Sequence, residues 1–141
     1  MEKKFEYLDH VADAEFIAYG STVDEAYENS ALAMISLMID PNTVKLAVEK
    51  EVELSNDALD LLLYDWLAEL LYILEVDRLI FGKFVVHVEQ ENNEYKLKAV
   101  AYGESLDAHP DVYMHIKAVT FHDLRFENRN NIYEAQVLLD I

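Results

Sequence analysis

SNDALDLLLYDWLAELLYILEV, residues 55–76, is the stretch the rest of the chain has to accommodate. Its apolar side chains fall at Leu59, Leu62, Leu63, Trp66, Leu67, Leu70, Leu71 and Leu74. That is the i, i+3, i+4, i+7 spacing of one helical face. Ser55 is placed to cap the first turn, and Asp57 and Asp60 to sit near the positive end of the helix dipole. Leu61, Tyr64 and Ile73 widen the apolar stripe, so the helix is expected to be covered on more than one side. A helix this apolar needs a sheet to lie on, and most of what surrounds it reads as strand.

Upstream, Phe5 to Leu8 and Ala14 to Tyr19 read as strands joined by a polar connection, Asp9 to Asp13. A helix opens at Ser21-Thr22, where Thr22 and Glu25 have capping-box spacing. Its apolar face is Val23, Ala26, Tyr27, Ser30, Met34, Leu37 and Met38, and Asp40-Pro41-Asn42 stops it. Val48, Val52 and Leu54 alternate with Glu49, Glu51 and Glu53, the pattern of a strand with one wet face, and Lys50 is the exception on the apolar side. Downstream of the long helix, Phe81–Gln90 and Tyr95–Tyr102 form a hairpin about Asn92-Asn93. A loop over Leu106 to Met114 follows, then a second hairpin, 118–126 with 132–141, turning at Asn128 to Asn131. The order β-β-α-β-α followed by four strands predicts an α+β two-layer sandwich, with two helices on a mostly antiparallel sheet and residues 1–141 as a single domain.

Composition limits the function. The chain of 141 residues is 52% hydrophobic and has no cysteine, so disulfides and thiolate metal sites are excluded. No signal peptide is visible and no apolar run reaches the roughly 18–20 residues of a membrane span, so a cytoplasmic protein is expected. With 28 Asp and Glu against 11 Lys and Arg, the net charge is −17. Nucleic-acid phosphates are held by cations, so direct binding to nucleic acid is disfavoured and cations or basic partners are favoured. No dinucleotide-binding, phosphate-loop, zinc-protease, EF-hand or nucleophile-elbow motif occurs.

The remaining chemistry lies in carboxylates and histidines at strand ends. In the last strand Tyr133, Ala135, Val137, Leu139 and Ile141 share the core face, which turns Asp140 to the opposite side, next to the terminal carboxylate. Adjacent anions repel unless a cation lies between them. Asp9, His10, Asp13 and Glu15 crowd the first connection, and hard cations take several oxygens, often from separated segments. A solvated chain end and surface residues at His10, Lys117, His122 and Asp123 are the alternative on spacing alone.

Three ordered motifs change the weighing. Tyr7 to Asp13, with Ala18-Tyr19-Gly20 and the helix from Asp24 to Met34, resembles the opening of the archease family. The similarity returns at Ile116-Lys117-Ala118-Val119-Thr120-Phe121-His122-Asp123-Leu124 and closes at Glu134 to Ile141, where the family ends in Asp-Ile. The resemblance implies an α+β fold related to strand-helix-strand-strand modules. It also implies a chaperone-like accessory role, as a non-enzymatic protein cofactor of the RtcB-type tRNA-splicing RNA ligase that promotes guanylylation and repeated turnover. It further implies a divalent cation (calcium first, magnesium or manganese next) held by Asp13 and Asp140, with the Ile141 carboxylate as a further ligand. Lys117 corresponds to the functional lysine of the second motif, and His10 and His122 stand in the matching segments. Val11 replaces the usual threonine and Ala14-Glu15 the usual Ile-Gly, which removes one hydroxyl and introduces a carboxylate. A basic ligase surface would steer so anionic a protein toward itself. Two rival readings are a stand-alone metal-dependent hydrolase using Asp13, His122 and Asp140, and an acidic nucleic-acid mimic that inhibits.

Overall fold

The computed structural model describes residues 3–8 and 13–141. The elements run β1 (Phe5–Leu8), β2 (Asp13–Gly20), α1 (Val23–Met38), β3 (Val48–Asn56), α2 (Leu59–Val76), β4 (Leu79–Glu91), β5 (Glu94–Ser105), β6 (Ala118–Val119), β7 (Arg125–Arg129) and β8 (Ile132–Asp140). The two helices pack on antiparallel sheets, the expected α+β class. The strands, however, divide between two sheets rather than forming one. The larger has the order β1-β2-β8-β6, with β7 also paired to β8, and the smaller is β3-β5-β4. All of these pairings are antiparallel.

Each helix touches both sheets: α1 lies against β2 and β4, and α2 against β3 and β6. That double contact explains why α1 is buried beyond its expected face, with Ala31, Ala33 and Ile35 enclosed as well as Tyr27 and Met34. In α2, Leu62, Leu63, Trp66, Leu67, Leu70, Leu71 and Ile73 are buried, so Ile73 belongs to the core. The Tyr27 hydroxyl donates to the Leu59 carbonyl at 2.5 Å and the Trp66 indole N–H to the Tyr27 carbonyl at 3.1 Å, tying the helices together. Asp24 and Glu28, one turn apart on α1, accept the Val88 and Val86 backbone N–H groups of β4 at 2.8 and 2.9 Å. β4 is an edge strand, and α1 covers donors that its neighbour cannot reach.

Local signals are realised with three corrections. Thr22 caps α1 by accepting the Glu25 N–H, while the Glu25 carboxylate reaches back to the Ser21 N–H at 2.8 Å. Asn92, Asn93, Asn130 and Asn131 take the positive φ that two-residue hairpin turns demand. Ser55, expected to cap α2, instead pairs with Lys96 in the β3–β5 ladder, and α2 starts four residues later behind Ala58, which offers no side-chain cap. The anticipated strand 118–126 is broken: Thr120 bonds Leu138, Leu124 N–H closes a turn on Phe121, and Asp123 adopts φ 58°. Lys50 is half-buried because its ammonium reaches Asp77 at 3.5 Å. Val48 is exposed, so the core face of β3 begins further along the strand.

Candidate functional site

β8 organises the site. Its inner face, Ala135, Val137 and Leu139, is wholly buried, and the alternation turns Glu134, Gln136, Leu138 and Asp140 to the opposite face, where Leu138 is covered and Asp140 exposed. Its antiparallel register with β2 places Asp13 directly opposite Asp140. Directly opposed residues point their side chains to the same side of a sheet with Cβ atoms about 4.5–5.5 Å apart, and like charges there are destabilising. On the other flank Asp140 pairs with Ala118, and the Lys117 backbone N–H donates to the Asp140 carbonyl at 2.8 Å. The Ile141 side chain packs against the core, as its place in the alternation requires. The fold therefore brings Asp13, Asp140, Ile141 and Lys117 to one end of the larger sheet, from three segments far apart in the chain.

The other expected residues divide. His10 and Asp9 lie outside the described residues, as does Val11. His122 is exposed in the turn after β6, with its Nε2 3.6 Å from the Asp123 carboxylate. Among the described residues no three His, Asp or Glu side chains are grouped so as to hold a metal ion. Asp13, His122 and Asp140 are therefore not brought together as one three-ligand group. Glu15 is buried and accepts from the Gln136 amide at 3.0 Å, which ties this departure from the motif into a polar chain along β8.

That chain ends on a second opposed pair of carboxylates. Glu127 of β7 faces Glu134 of β8, and the Arg125 guanidinium bonds both. Arg125 also donates to Gln136 at 3.0 Å, and Arg129 reaches Glu127 at 2.9 Å. The bond from Arg125 holds the Glu127 carboxyl below the usual carboxylate range. Asp13 and Asp140 offer hard carboxylate oxygens, the donor chemistry that suits calcium or magnesium. Two aspartates are fewer than such ions take, so the remaining oxygens would come from the terminal carboxylate, backbone carbonyls or water. The donor set fits a hard cation and not a soft one.

Sequence reasoning passed over Phe121. It lies on the surface stacked on Tyr64 of α2, with ring centroids 4.0 Å apart and planes 15° from parallel. Its only signal in the sequence was an aromatic residue set inside a polar motif, between Thr120 and His122.

Two helices on antiparallel sheets, with the first and last motifs joined through the Asp13–Asp140 register, define a small α+β domain. The model of the Archease protein family matches residues 5–141, and the chain belongs to that family. The archease of Methanosarcina mazei is 47% identical over 142 residues, spanning 99% of this chain and 97% of that protein. The archease of Pyrococcus furiosus is 35% identical, over 99% of each chain. The solution structure of protein 1598 from Methanobacterium thermoautotrophicum superposes with a TM-score of 0.88 at 37% identity, covering 98% of this chain and 99% of that one. An archease of Thermotoga maritima, described as a possible chaperone, shares the fold at TM-score 0.62 and 18% identity, covering 95% and 94%.

Proposed function

We propose that this chain is a cytoplasmic, cation-dependent protein cofactor of an RtcB-type tRNA-splicing RNA ligase, promoting its guanylylation and multiple turnover without catalysing a reaction itself. Membership of the archease family supports the class. The single observation that supports the cation is the register that sets Asp13 against Asp140, in the two segments the family resemblance singles out. Asp13, Asp140 and the terminal carboxylate of Ile141 would hold it, calcium first and magnesium or manganese next. Bound there, a divalent ion supplies a positive centre that attracts phosphate or carboxylate oxygens of a partner.

The rest is the work of the chain's own residues. Asp140 is locked in place by two strand neighbours, β2 and β6, so its carboxylate is presented from rigid backbone. Lys117 is fixed beside it through its own N–H, and its ammonium is left on the surface for a partner, as is His122. The charge of −17 keeps the protein off RNA and draws it to the basic face of an RNA-binding enzyme. No helix among the described residues is long and apolar enough to cross a membrane.

The test is a ligase guanylylation assay with limiting ligase, with and without this chain and calcium. Stimulation by the unsubstituted chain, lost in Asp13→Ala and Asp140→Ala at unchanged helical content, is the expected result. No stimulation by the unsubstituted chain removes the function. Full stimulation by either variant removes the carboxylate site and leaves the function standing.

A further inference from the structure

The buried side of α2 is fully occupied, and between its acidic residues the outer side carries an apolar ridge. Leu61, Tyr64, Ala68 and Tyr72, spaced three, four and four residues apart, form it, with Tyr64 and Ala68 half-buried against the core. Leu61 is 40% exposed and Tyr72 58%. Phe121, which is 61% exposed, extends the ridge sideways through its stack on Tyr64. Tyr64, Ala68 and Tyr72 also line a shallow cleft of about 210 Å³ whose opposite wall is Lys117, Ala118 and Val119, the segment that pairs with the end of β8. The ridge is therefore continuous with the carboxylate site, reached through Lys117 and Asp140. Glu75 lines the same cleft, Asp140 pairs with its wall residue Ala118, and Asp123 is exposed two residues after Phe121, so the rim is acidic.

We infer that the ridge of Tyr72, Tyr64 and Phe121 beside Lys117 is a docking surface for the basic rim of the ligase's RNA-binding face, with aromatic anchors entering apolar pockets between cationic residues. This deepens the ligase reading and rests on it. Exposed aromatic residues with few rotatable bonds, set on a rigid helix, are the residue types that carry interface energy at low entropic cost. The Phe121–Tyr64 stack is already formed in the free chain, so docking does not have to order it.

Charge selects the occupant. A second copy would press acidic residues against acidic residues, which like-charge repulsion opposes. A nucleic acid would stack well on these rings but meets carboxylates where it needs cations. A protein with lysines and arginines around an apolar pocket satisfies both the rings and the rim. Such a partner would be steered by the rim and retained by the rings, so truncating the rings acts on the off-rate and leaves the salt dependence of the on-rate intact.

The experiment measures binding of purified ligase to the unsubstituted chain, to Tyr72→Ala, and to Tyr72→Ala/Phe121→Ala, with calcium titrations and helical content on the same samples. The double variant is expected to bind the ligase about 30-fold more weakly, the scale of an interface hot spot, with most of the change in the off-rate. Its calcium affinity and its salt slope stay those of the unsubstituted chain. Ligase affinity within threefold of the unsubstituted chain overturns the docking surface and spares the ligase reading. Failure of the unsubstituted chain to bind ligase at all overturns the ligase reading, and this occupant with it. A dimer of the unsubstituted chain that becomes monomeric in the double variant, or tRNA binding that the substitutions abolish, assigns the ridge to those occupants and overturns the inference. Should the double variant lose helical content, Tyr72→Ala alone decides, since Tyr72 makes no ring contact among the described residues.

Discussion

The two ends of β8 carry the same arrangement resolved in different ways. Near its start, Glu134 faces Glu127, and the chain places its own cation there, Arg125, held by both carboxylates and by Gln136. At its end, Asp140 faces Asp13 in the same kind of register, beside Lys117, whose backbone rather than its ammonium makes the nearest bond. An opposed carboxylate pair destabilises a sheet unless positive charge is brought to it. At the Arg125 end the pair is structural. At the sheet end the pair stands next to an exposed lysine and is the one for which a bound cation is proposed.

Calcium should distinguish the two ends most strongly. A ligand that binds only the folded chain stabilises it by about 2.7 kcal/mol at a hundred times its Kd. Calcium is therefore expected to raise the unfolding midpoint of the unsubstituted chain and of Glu134→Gln, but not that of Asp140→Asn or Asp13→Asn. Equal calcium shifts in all four, read by thermal melts, would erase the difference between the ends.

Removing the internal cation comes next. Arg125→Met leaves Glu127 opposed to Glu134 and Gln136 without its donor, and should cost about 2 kcal/mol, the scale of hydrogen bonds to charged groups. Urea unfolding measures it, and a cost near zero would mean that the network only decorates the surface.

A smaller effect of opposite sign is expected from Asp140→Asn in chelator. Removing one of two opposed like charges should stabilise the calcium-free chain by about 0.2–1 kcal/mol. Destabilisation under those conditions would show that repulsion between the two carboxylates does not dominate there.

The smallest effect is a pH dependence at the Arg125 end. Glu127 is held below the ordinary glutamate value of 4.5 by Arg125. A depressed folded value contributes stability that is complete above 4.5 and is lost as pH falls through the lowered value. The advantage of the unsubstituted chain over Glu127→Gln should thus persist at neutral pH and fade below 4.5. An advantage that grows on acidification would reverse the assignment.

Much of this was legible in the residues. Period-3.6 spacing located both helices, paired asparagines marked both hairpin turns, and alternation in the last strand turned Asp140 away from the core. Ser55 misled because a capping residue next to a strand can be taken by the strand ladder, and β3 runs through it to Asn56. The single strand expected at 118–126 broke because left-handed backbone at Asp123 is not announced by the apolar pattern. Arg125 gave no sign of its role, since its importance comes from which two glutamates the register sets on either side of it.

By itself the sequence determined the place of both helices, most of the strands, the excess of negative charge and the segments worth watching, because each is written in local spacing or in composition. Only the tertiary structure decided that the strands form two sheets, that Asp13 meets Asp140, and that Phe121 lies stacked and exposed against α2. A period of two says which face a side chain takes but not which strand lies beside it. Partners distant in the chain are chosen by the packing of both helices against both sheets, a sum over many residues that no single stretch contains.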